Sequence, residues 1–426
     1  MKHIALVFQA APAPRQRIRR LINLCFAILA ALVIVSIGVN LRPGFDDSKQ
    51  YRQGARNIVA TGDAYATTRL QDERYPGYPN PPLLAYLLVP TLPLGEGGGR
   101  LAWFYLNLAA TVGFFWLTLR IAAPPWVRTF WGPLAFAVVF SPSTYLCLLF
   151  GQLGIMLALL LVASFALAQR RSACAGATIA LATVIKLYPG LLVLYYLLRG
   201  PRRILLWASA IGGVLLLIPV FFHGFQPYQR YYDVVLRGNF YPYAAEFNVS
   251  LMGLWYRLFT ATARFTALAD APMLASVLTL LTSLATLALC VRCTGTPGEL
   301  GALLSFSMWM CATLLLSPIN GYYNLPVLLF PLLVIARGLS RYPSVALTGG
   351  ALVATGLISL PSEWYGRWPR LAAFLLHGWG LFGLVPALFG IYGYLAILTV
   401  IARRHRRASR NDDIHGVRLY DDAIVR

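Results

Sequence analysis

The fold class predicted for this chain is an all-α integral membrane protein, a bundle of about 12 transmembrane helices (range roughly 10–13) with interfacial helices in its first outer loop. Three observations predict the helical membrane bundle. Hydrophobic residues fill 58% of the 426 positions and charged residues only 12%. Apolar runs of roughly 20 residues recur along the chain, about the length that crosses a bilayer. Arginines gather in short clusters between those runs. Lipid offers no hydrogen-bond partner to a backbone, so runs this long and apolar must be helices.

The formal charge of +21 is read within that class. Arg outnumbers Lys by 33 to 3. The clusters at 15–20, 120–128, 170–171, 199–203, 292, 337–341 and 403–410 all fall on one side if the chain crosses twelve times, and the positive-inside rule makes that side cytoplasmic. Nucleic acid would need a continuous basic stripe, which is lacking, so it is excluded as a partner and membrane lipids take its place.

In chain order, residues 1–20 form a basic cytoplasmic N-terminus. The RQRIRR of 15–20 precedes an apolar stretch with no small-residue cleavage site, so Leu21–Asn40 is expected as a retained first helix. Outer loop 41–100 follows. Within it Lys49–Ala60 is expected as a short helix on the outer surface with Arg52 and Arg56 on one face. Residues 81–94 are too short and too interrupted by proline to span, and read as an interfacial or re-entrant segment. Helices are then expected near 101–120, 130–146 and 152–169. Arg flanks both ends of 172–199, which requires an even number of crossings there, and Tyr188-Pro189-Gly190 divides the stretch into short helices at 173–187 and 188–199.

Helix 203–222 leads to the second outer loop, 223–270. Helices near 272–291, 299–316, 320–336 and 343–360 precede the third, 361–380, and the last helix lies near 381–402. The whole of 21–402 is thus one polytopic domain. Residues 403–426 are a basic cytoplasmic tail whose RRHRR at 403–407 suits anionic headgroups. The six cysteines fall in or beside spans and make no disulfide framework. Cys290 and Cys293 form a lone CxxC at a helix end, a weak sign of metal or redox chemistry.

The outer face collects the polar residues. In a chain with 15 acidic side chains, Asp46 and Asp47 stand side by side after the first helix. They are either two solvated loop acids that cap the next helix or a general base for an attacking hydroxyl. Adjacent carboxylates also suit a divalent metal, but no histidine or third acid stands at ligand spacing, so no metal ligand and no cofactor is assigned. Lys186 lies deep in the apolar run ATVIKLYPG, where an unpaired ammonium costs about 2.5–3.5 kcal/mol. It either snorkels to the headgroups or faces a polar cavity and binds phosphate.

The same face holds Ser141-Pro142, Gly151-Gln152, His223, Glu246, Asn248-Val249-Ser250, Ser317-Pro318-Ile319-Asn320, Glu363 and His377. These are the ends of many helices, which implies a cavity opening outward. Tyr78-Pro79-Asn80-Pro81-Pro82-Leu83 is a rigid entry to the segment behind it, because each proline fixes its own backbone and restrains its predecessor. The sequon at 248–250 is too short a pattern to be specific. Trp255, Trp364, Trp368 and Trp379 suit an interfacial aromatic belt or a stack on sugar rings.

Several of these elements follow one another in a recognisable order. Asp47 and Tyr51 make an Asp-x-x-x-Tyr pattern. After it come the turn Gly62-Asp63-Ala64-Tyr65, the tyrosine–proline element at 78–83, Gly151-Gln152, Ile185-Lys186-Leu187-Tyr188-Pro189, Asn248-Val249-Ser250-Leu251 ahead of Arg257, and Ser317-Pro318-Ile319. From about residue 20 to 340 the chain resembles the GT-C membrane glycosyltransferases. Within them it resembles glycosyltransferase family 87, the polyprenyl-phosphate-mannose-dependent alpha-1,2-mannosyltransferases. One departure stands out: the family commonly has histidine after serine–proline–isoleucine. This chain has Tyr322 and Tyr323, which donate hydrogen bonds but bring no positive charge at neutral pH.

The resemblance implies transfer of a hexose, mannose in the family, from a polyprenyl-phosphate sugar donor to a hydroxyl of a cell-envelope glycolipid or glycan acceptor. It places this chemistry on the periplasmic face of a bacterial inner membrane, with both termini cytoplasmic. The implied mechanism inverts the anomeric centre with an Asp general base. That base is Asp47 or Asp46, the spacing to Tyr51 favouring Asp47. Lys186 and Arg257 would hold the donor phosphate, and Tyr51, Gln152, Asn248, Asn320, Tyr322 and Tyr323 would line the substrate site. Two rival readings are a lipid-linked oligosaccharide ligase or aminosugar transferase, with the same outward site, and a lipid-linked-sugar transporter or flippase. Many transporters are built from inverted repeats, and no two-fold pattern is visible here.

Overall fold

The computed structural model describes residues 13–39, 47–67, 77–237, 243–245, 247–261, 267–360 and 386–414. Asp46, Glu246, Glu363, Trp364, Trp368, His377 and Trp379 lie outside the described residues. Among those described there is no strand. Helix α1 (Ala13–Val39) is followed by α2 (Ser48–Thr61), α3 (Pro82–Leu88) and α4 (Gly95–Ala122), with a 3-10 turn at Val89–Leu94 before α4. Next come α5 (Pro125–Thr129), α6 (Trp131–Phe140), α7 (Pro142–Phe150), α8 (Gly154–Leu167), α9 (Ser172–Ile185), α10 (Leu192–Arg199) and α11 (Arg202–His223). The remainder comprises α12 (Gln226–Tyr231), α13 (Leu251–Phe259), α14 (Pro272–Thr294), α15 (Gly298–Leu316), α16 (Leu329–Arg341), α17 (Val345–Ile358) and α18 (Pro386–Ile414).

Every expected apolar segment is helical, yet the count of crossings differs. Among the described residues seven helices are long and apolar enough to cross a membrane, or up to eight if the bent pair α6 and α7 is one span. The cause is local. Helices α8, α9 and α17 have 14 residues each, against about 20 for a span. Breaks at Gly151-Gln152, at Lys186 and after Ser317 shorten the helices around them. The expected break at 188–190 is a 3-10 turn, Tyr188–Leu191, whose proline and glycine interrupt the α-helical bonding. Between α6 and α7 the chain turns by 60°, where Pro142 opens α7 and Ser141 caps it by accepting from the Thr144 N–H.

Two first-loop expectations are corrected. Helix α2 does not display Arg52 and Arg56 together on a solvated face. Arg52 is 4% exposed and turns inward, while Arg56 turns outward to pair with Glu96. Residues 82–88 do not lie on a surface either, since Leu83 and Ala85 are fully buried. A gap opposite Gly54 admits the Tyr78 ring, with no room there for a Cβ.

The basic clusters meet at one end of the bundle, largely by capping helix ends. Arg128 donates to the Ala123 carbonyl at 3.0 Å and to the Arg120 carbonyl at 2.7 Å. Arg337 donates to the Ile121 carbonyl at 3.1 Å and pairs with Glu299 at 3.0 Å. Arg199 reaches the Thr294, Thr296 and Gly298 carbonyls. Arg406 donates to the Arg292 carbonyl at 2.8 Å. The last carbonyls of a helix lack intrahelical partners, so these guanidiniums satisfy groups that lipid could not.

Helix α1, one of the three least buried spans among the described residues, is tied to the start of α6 by one side chain. Asn23 Nδ2 donates to the Thr129 carbonyl at 3.0 Å and its Oδ1 accepts from the Gly132 N–H at 3.0 Å. Gly132 lies so close to the Asn23 backbone that an added Cβ would overlap it. Asn23→Ala, which leaves a buried N–H without its acceptor, should destabilise the protein by about 1–3 kcal/mol. Gly132→Ala should do the same by steric overlap. Both should lower the unfolding temperature in detergent, read by intrinsic tryptophan fluorescence.

Candidate active site

The end of the bundle opposite the arginine caps is built from interrupted helices. Asp47 stands immediately before α2, and its backbone N–H donates to the Phe150 carbonyl at 2.7 Å, which seats α2 on the end of α7. There the chain reverses through Gly151 at φ +68°, a conformation that favours glycine, and delivers Gln152. The Gln152 Nε2 donates to Asp47 Oδ2. The Tyr51 hydroxyl, one helical turn beyond Asp47, donates to Gln152 Oε1 at 2.9 Å. One amide thus joins the Asp-x-x-x-Tyr pair to the Gly-Gln turn across about a hundred residues of sequence. Trp103 supports the turn from α4, with Nε1 donating to the Gly151 carbonyl at 2.6 Å and its ring edge-on to Tyr51 at 5.8 Å.

Lys186 follows the last turn of α9, and it does not snorkel away. Its Nζ donates to Asn324 Oδ1 at 3.4 Å and lies 5.4 Å from the Tyr323 ring centroid and 5.7 Å from that of Tyr188. Cation–π contact of this kind stabilises a desolvated ammonium. The Asp47 carboxylate and Cys147 are within its electrostatic range. Asn324 continues the chain of contacts: its Nδ2 donates to Asn320 Oδ1 at 2.8 Å, and Asn320 Nδ2 donates to the Leu314 carbonyl at 3.0 Å, capping α15.

Asn248 completes the arrangement. Its Oδ1 accepts from the Asn320 N–H at 3.0 Å and the Ser250 N–H at 3.1 Å, and its Nδ2 donates to the Pro318 carbonyl at 2.9 Å. The Val249 N–H donates to the Asn320 carbonyl at 2.7 Å. Asn248 is fully buried, so the sequon is a backbone brace. Arg257, 2% exposed, donates from Nη1 to the Ala245 carbonyl at 2.7 Å and the Asn248 carbonyl at 2.9 Å. It therefore reaches the group through the 245–248 turn. Tyr322 is buried beside Tyr323 at the start of the 3-10 turn Tyr322–Leu328.

Of the residues singled out in the sequence, Asp47, Tyr51 and Gln152 form one knot, and Lys186, Asn320 and Asn248 form a second through Asn324. Lys186 and Tyr323 join the two. Gly154 makes this junction close, because a Cβ there would overlap the Tyr323 carbonyl. Asp46 lies outside the described residues, so only Asp47 is placed. His223 stands apart, its Nδ1 within 2.7 Å of the Tyr86 hydroxyl. The Trp255 Nε1 donates to Thr282 Oγ1 at 3.0 Å and its ring stacks on Phe259. Among the described residues no three His, Cys, Asp or Glu side chains gather as metal ligands.

Sequence reasoning missed Asn324 and Trp103. Asn324 sits four residues after Asn320, on one face of the helix expected near 320–336, and that spacing was a usable signal. It also missed the fastening of the first loop by the second. Arg230 pairs with Asp63 at 2.8 Å. Tyr65, on the same turn, donates to the Asn80 carbonyl at 2.8 Å. Burial above all, with Tyr78, Tyr231 and Asp63 nearby, holds its phenol pKa well above the ordinary value.

The arrangement offers a carboxylate at a polar break, a desolvated cation within its field and a wall of buried amides, which suits proton abstraction beside an anionic leaving group. Gly154→Ala should push the Tyr323 turn away and lower the unfolding temperature in detergent. Gly113→Ala, whose Cβ would meet Leu159 methyls at an ordinary 3.5 Å, should leave it unchanged.

Comparison with known proteins gives one match. The family model described as "Glycosyltransferase family 87" covers residues 78–318. No curated protein and no solved structure matches the chain.

Proposed function

The chain belongs to glycosyltransferase family 87, a membrane glycosyltransferase by that membership, and from this premise we propose that Asp47 is its general base and Lys186 its donor-phosphate cation. The donor in this proposal is a polyprenyl-phosphate sugar, mannose for preference. The acceptor is a hydroxyl of a cell-envelope glycolipid or glycan. The site faces the outer side of a bacterial inner membrane in a GT-C-like bundle, and the arginine-capped end faces the cytoplasm.

One observation carries the reading. The Asp47 carboxylate is held by Gln152 at the mouth of the helix breaks, and the Lys186 ammonium lies within its electrostatic range. Asp47 takes the proton from the acceptor hydroxyl as that oxygen forms its bond to the anomeric carbon. The bond from that carbon to the phosphate oxygen breaks, and polyprenyl phosphate leaves with the electron pair, its charge met by Lys186. A single displacement inverts the anomeric centre. Tyr51 and Gln152 orient the base, and Tyr323 and Asn324 hold the ammonium. Arg257 fixes the 245–248 turn, and through Asn248 the Asn320 turn. A dry, fixed geometry gains rate from orientation and limits hydrolysis of the donor.

Asp47→Asn should cut transfer of sugar from polyprenyl-phosphate mannose to envelope glycolipids by about 10²–10⁴-fold, with membrane insertion and unfolding temperature unchanged. Near-normal turnover would exclude Asp47 as the base. Lys186→Met should raise the KM for the lipid-linked donor as well as lower kcat. Product from another lipid-linked sugar, with none from mannose, would keep the mechanism and move the substrate.

A further inference from the structure

Asn107 is fully buried near the middle of α4, where an amide is costly unless its hydrogen-bonding groups are met. The amide orientation that pairs both ends has Nδ2 donating to the Gln152 carbonyl at 2.9 Å and Oδ1 accepting from Trp103 Nε1 at 3.2 Å. Trp103 shares that indole N–H with the Gly151 carbonyl, so one face of α4 holds both carbonyls of the Gly151-Gln152 turn. From the other side the Gln152 N–H donates to the Cys147 carbonyl at 2.9 Å, and the Cys147 Sγ donates to the Gln152 carbonyl at 3.4 Å. The Gln152 side chain meanwhile bonds Asp47 and Tyr51. Backbone and side chain of Gln152 are thus both fastened.

We propose that Asn107 is a positioning residue for glycosyl transfer: by holding the Gln152 carbonyl it fixes the backbone from which the Gln152 side chain orients Asp47, a role that rests on Asp47 being the base. A glutamine carries its amide on three rotatable bonds, so a turn left free to rock would swing Nε2 away from the carboxylate. Gly151, at φ +68°, brings no side chain to pack that turn in place, and its carbonyl and that of Gln152 are where a neighbouring helix grips it. Asn107 does so from α4, an unbroken helix of 28 residues, while the elements around the site are interrupted. Thr111, the next buried polar residue on the same face, differs in kind. Its hydroxyl donates to the Asn107 carbonyl at 2.8 Å, within α4, an ordinary local contact. On this face Trp103 and Asn107 reach the turn, and Thr111 bonds its own helix.

The test is a double-mutant cycle on the full chain in lipid, with polyprenyl-phosphate mannose as donor and envelope glycolipid as acceptor. Asn107→Leu should lower kcat by about 10–100-fold, the cost of a small misplacement of a reacting group, and leave the donor KM unchanged because Lys186 and Asn324 keep their places. Asn107→Leu added to Gln152→Leu should lower kcat no further, since the side chain through which Asn107 acts is then gone. Thr111→Val should keep the wild-type kcat. A kcat unmoved by Asn107→Leu, or losses that multiply in the double variant, would overturn the proposal. Should Asn107→Leu not fold, Asn107→Ala carries the same cycle. Turnover that survives Asp47→Asn overturns the base and this role with it, whereas turnover lost in Asp47→Asn but kept in Asn107→Leu overturns the positioning role alone. Where this donor gives no product, deuterium uptake in lipid decides. Faster exchange at the Asp47 N–H and its neighbours in Asn107→Leu, but not in Thr111→Val, supports the role, and unchanged exchange overturns it.

Discussion

The structure depends on one constraint: within a bilayer a broken helix must find partners for its freed N–H and C=O groups inside the protein. This chain breaks repeatedly at one end of its bundle, and the breaks satisfy one another. The Asp47 N–H takes the carbonyl that ends α7, the Trp103 indole takes the Gly151 carbonyl, and Asn248 takes donors and acceptors from the 318–320 turn. Function follows from the same economy of groups. The side chains that mend the breaks are amides, hydroxyls, an indole, a guanidinium and one ammonium, gathered where apolar helices stop.

The two ends of the bundle solve that problem with different chemistry. One end uses guanidiniums, whose forked donors cover several terminal carbonyls at once, as Arg199 does with three. The other relies mainly on amides, which donate and accept within a single side chain, with Arg257 on the Ala245 and Asn248 carbonyls. Within the central knot the Lys186 ammonium lies inside the electrostatic range of Asp47.

Much of this was legible in the sequence because membrane topology is written in composition. The helices and most helix ends followed from apolar runs, prolines and arginine clusters, and Asp47, Gln152, Lys186, Asn248 and Asn320 stood out as polar residues at those ends. The number of crossings was less legible. A run of 14 apolar residues and one of 20 look alike when their ends are blurred by apolar loop residues such as Leu187. Side-chain direction was least legible. Arg52 and Arg56 share a nominal helix face, but Gly99 opens a slot that draws Arg52 inward, and only the glycine run of 95–99 hinted at it. Asn324 escaped because its importance rests on Lys186, 138 positions away.

The clasp between the first two long loops has a consequence for how the molecule is made. Asp63 meets Arg230 across 167 positions, and Asp47 meets Gln152 across 105. During synthesis the segment bearing Asp47 and Asp63 emerges early and waits through six helices, α2 to α7, for Gln152, and until after α11 for Arg230. A nascent chain halted before α12 would therefore leave this clasp open, and the two loops would be fastened only late in translation.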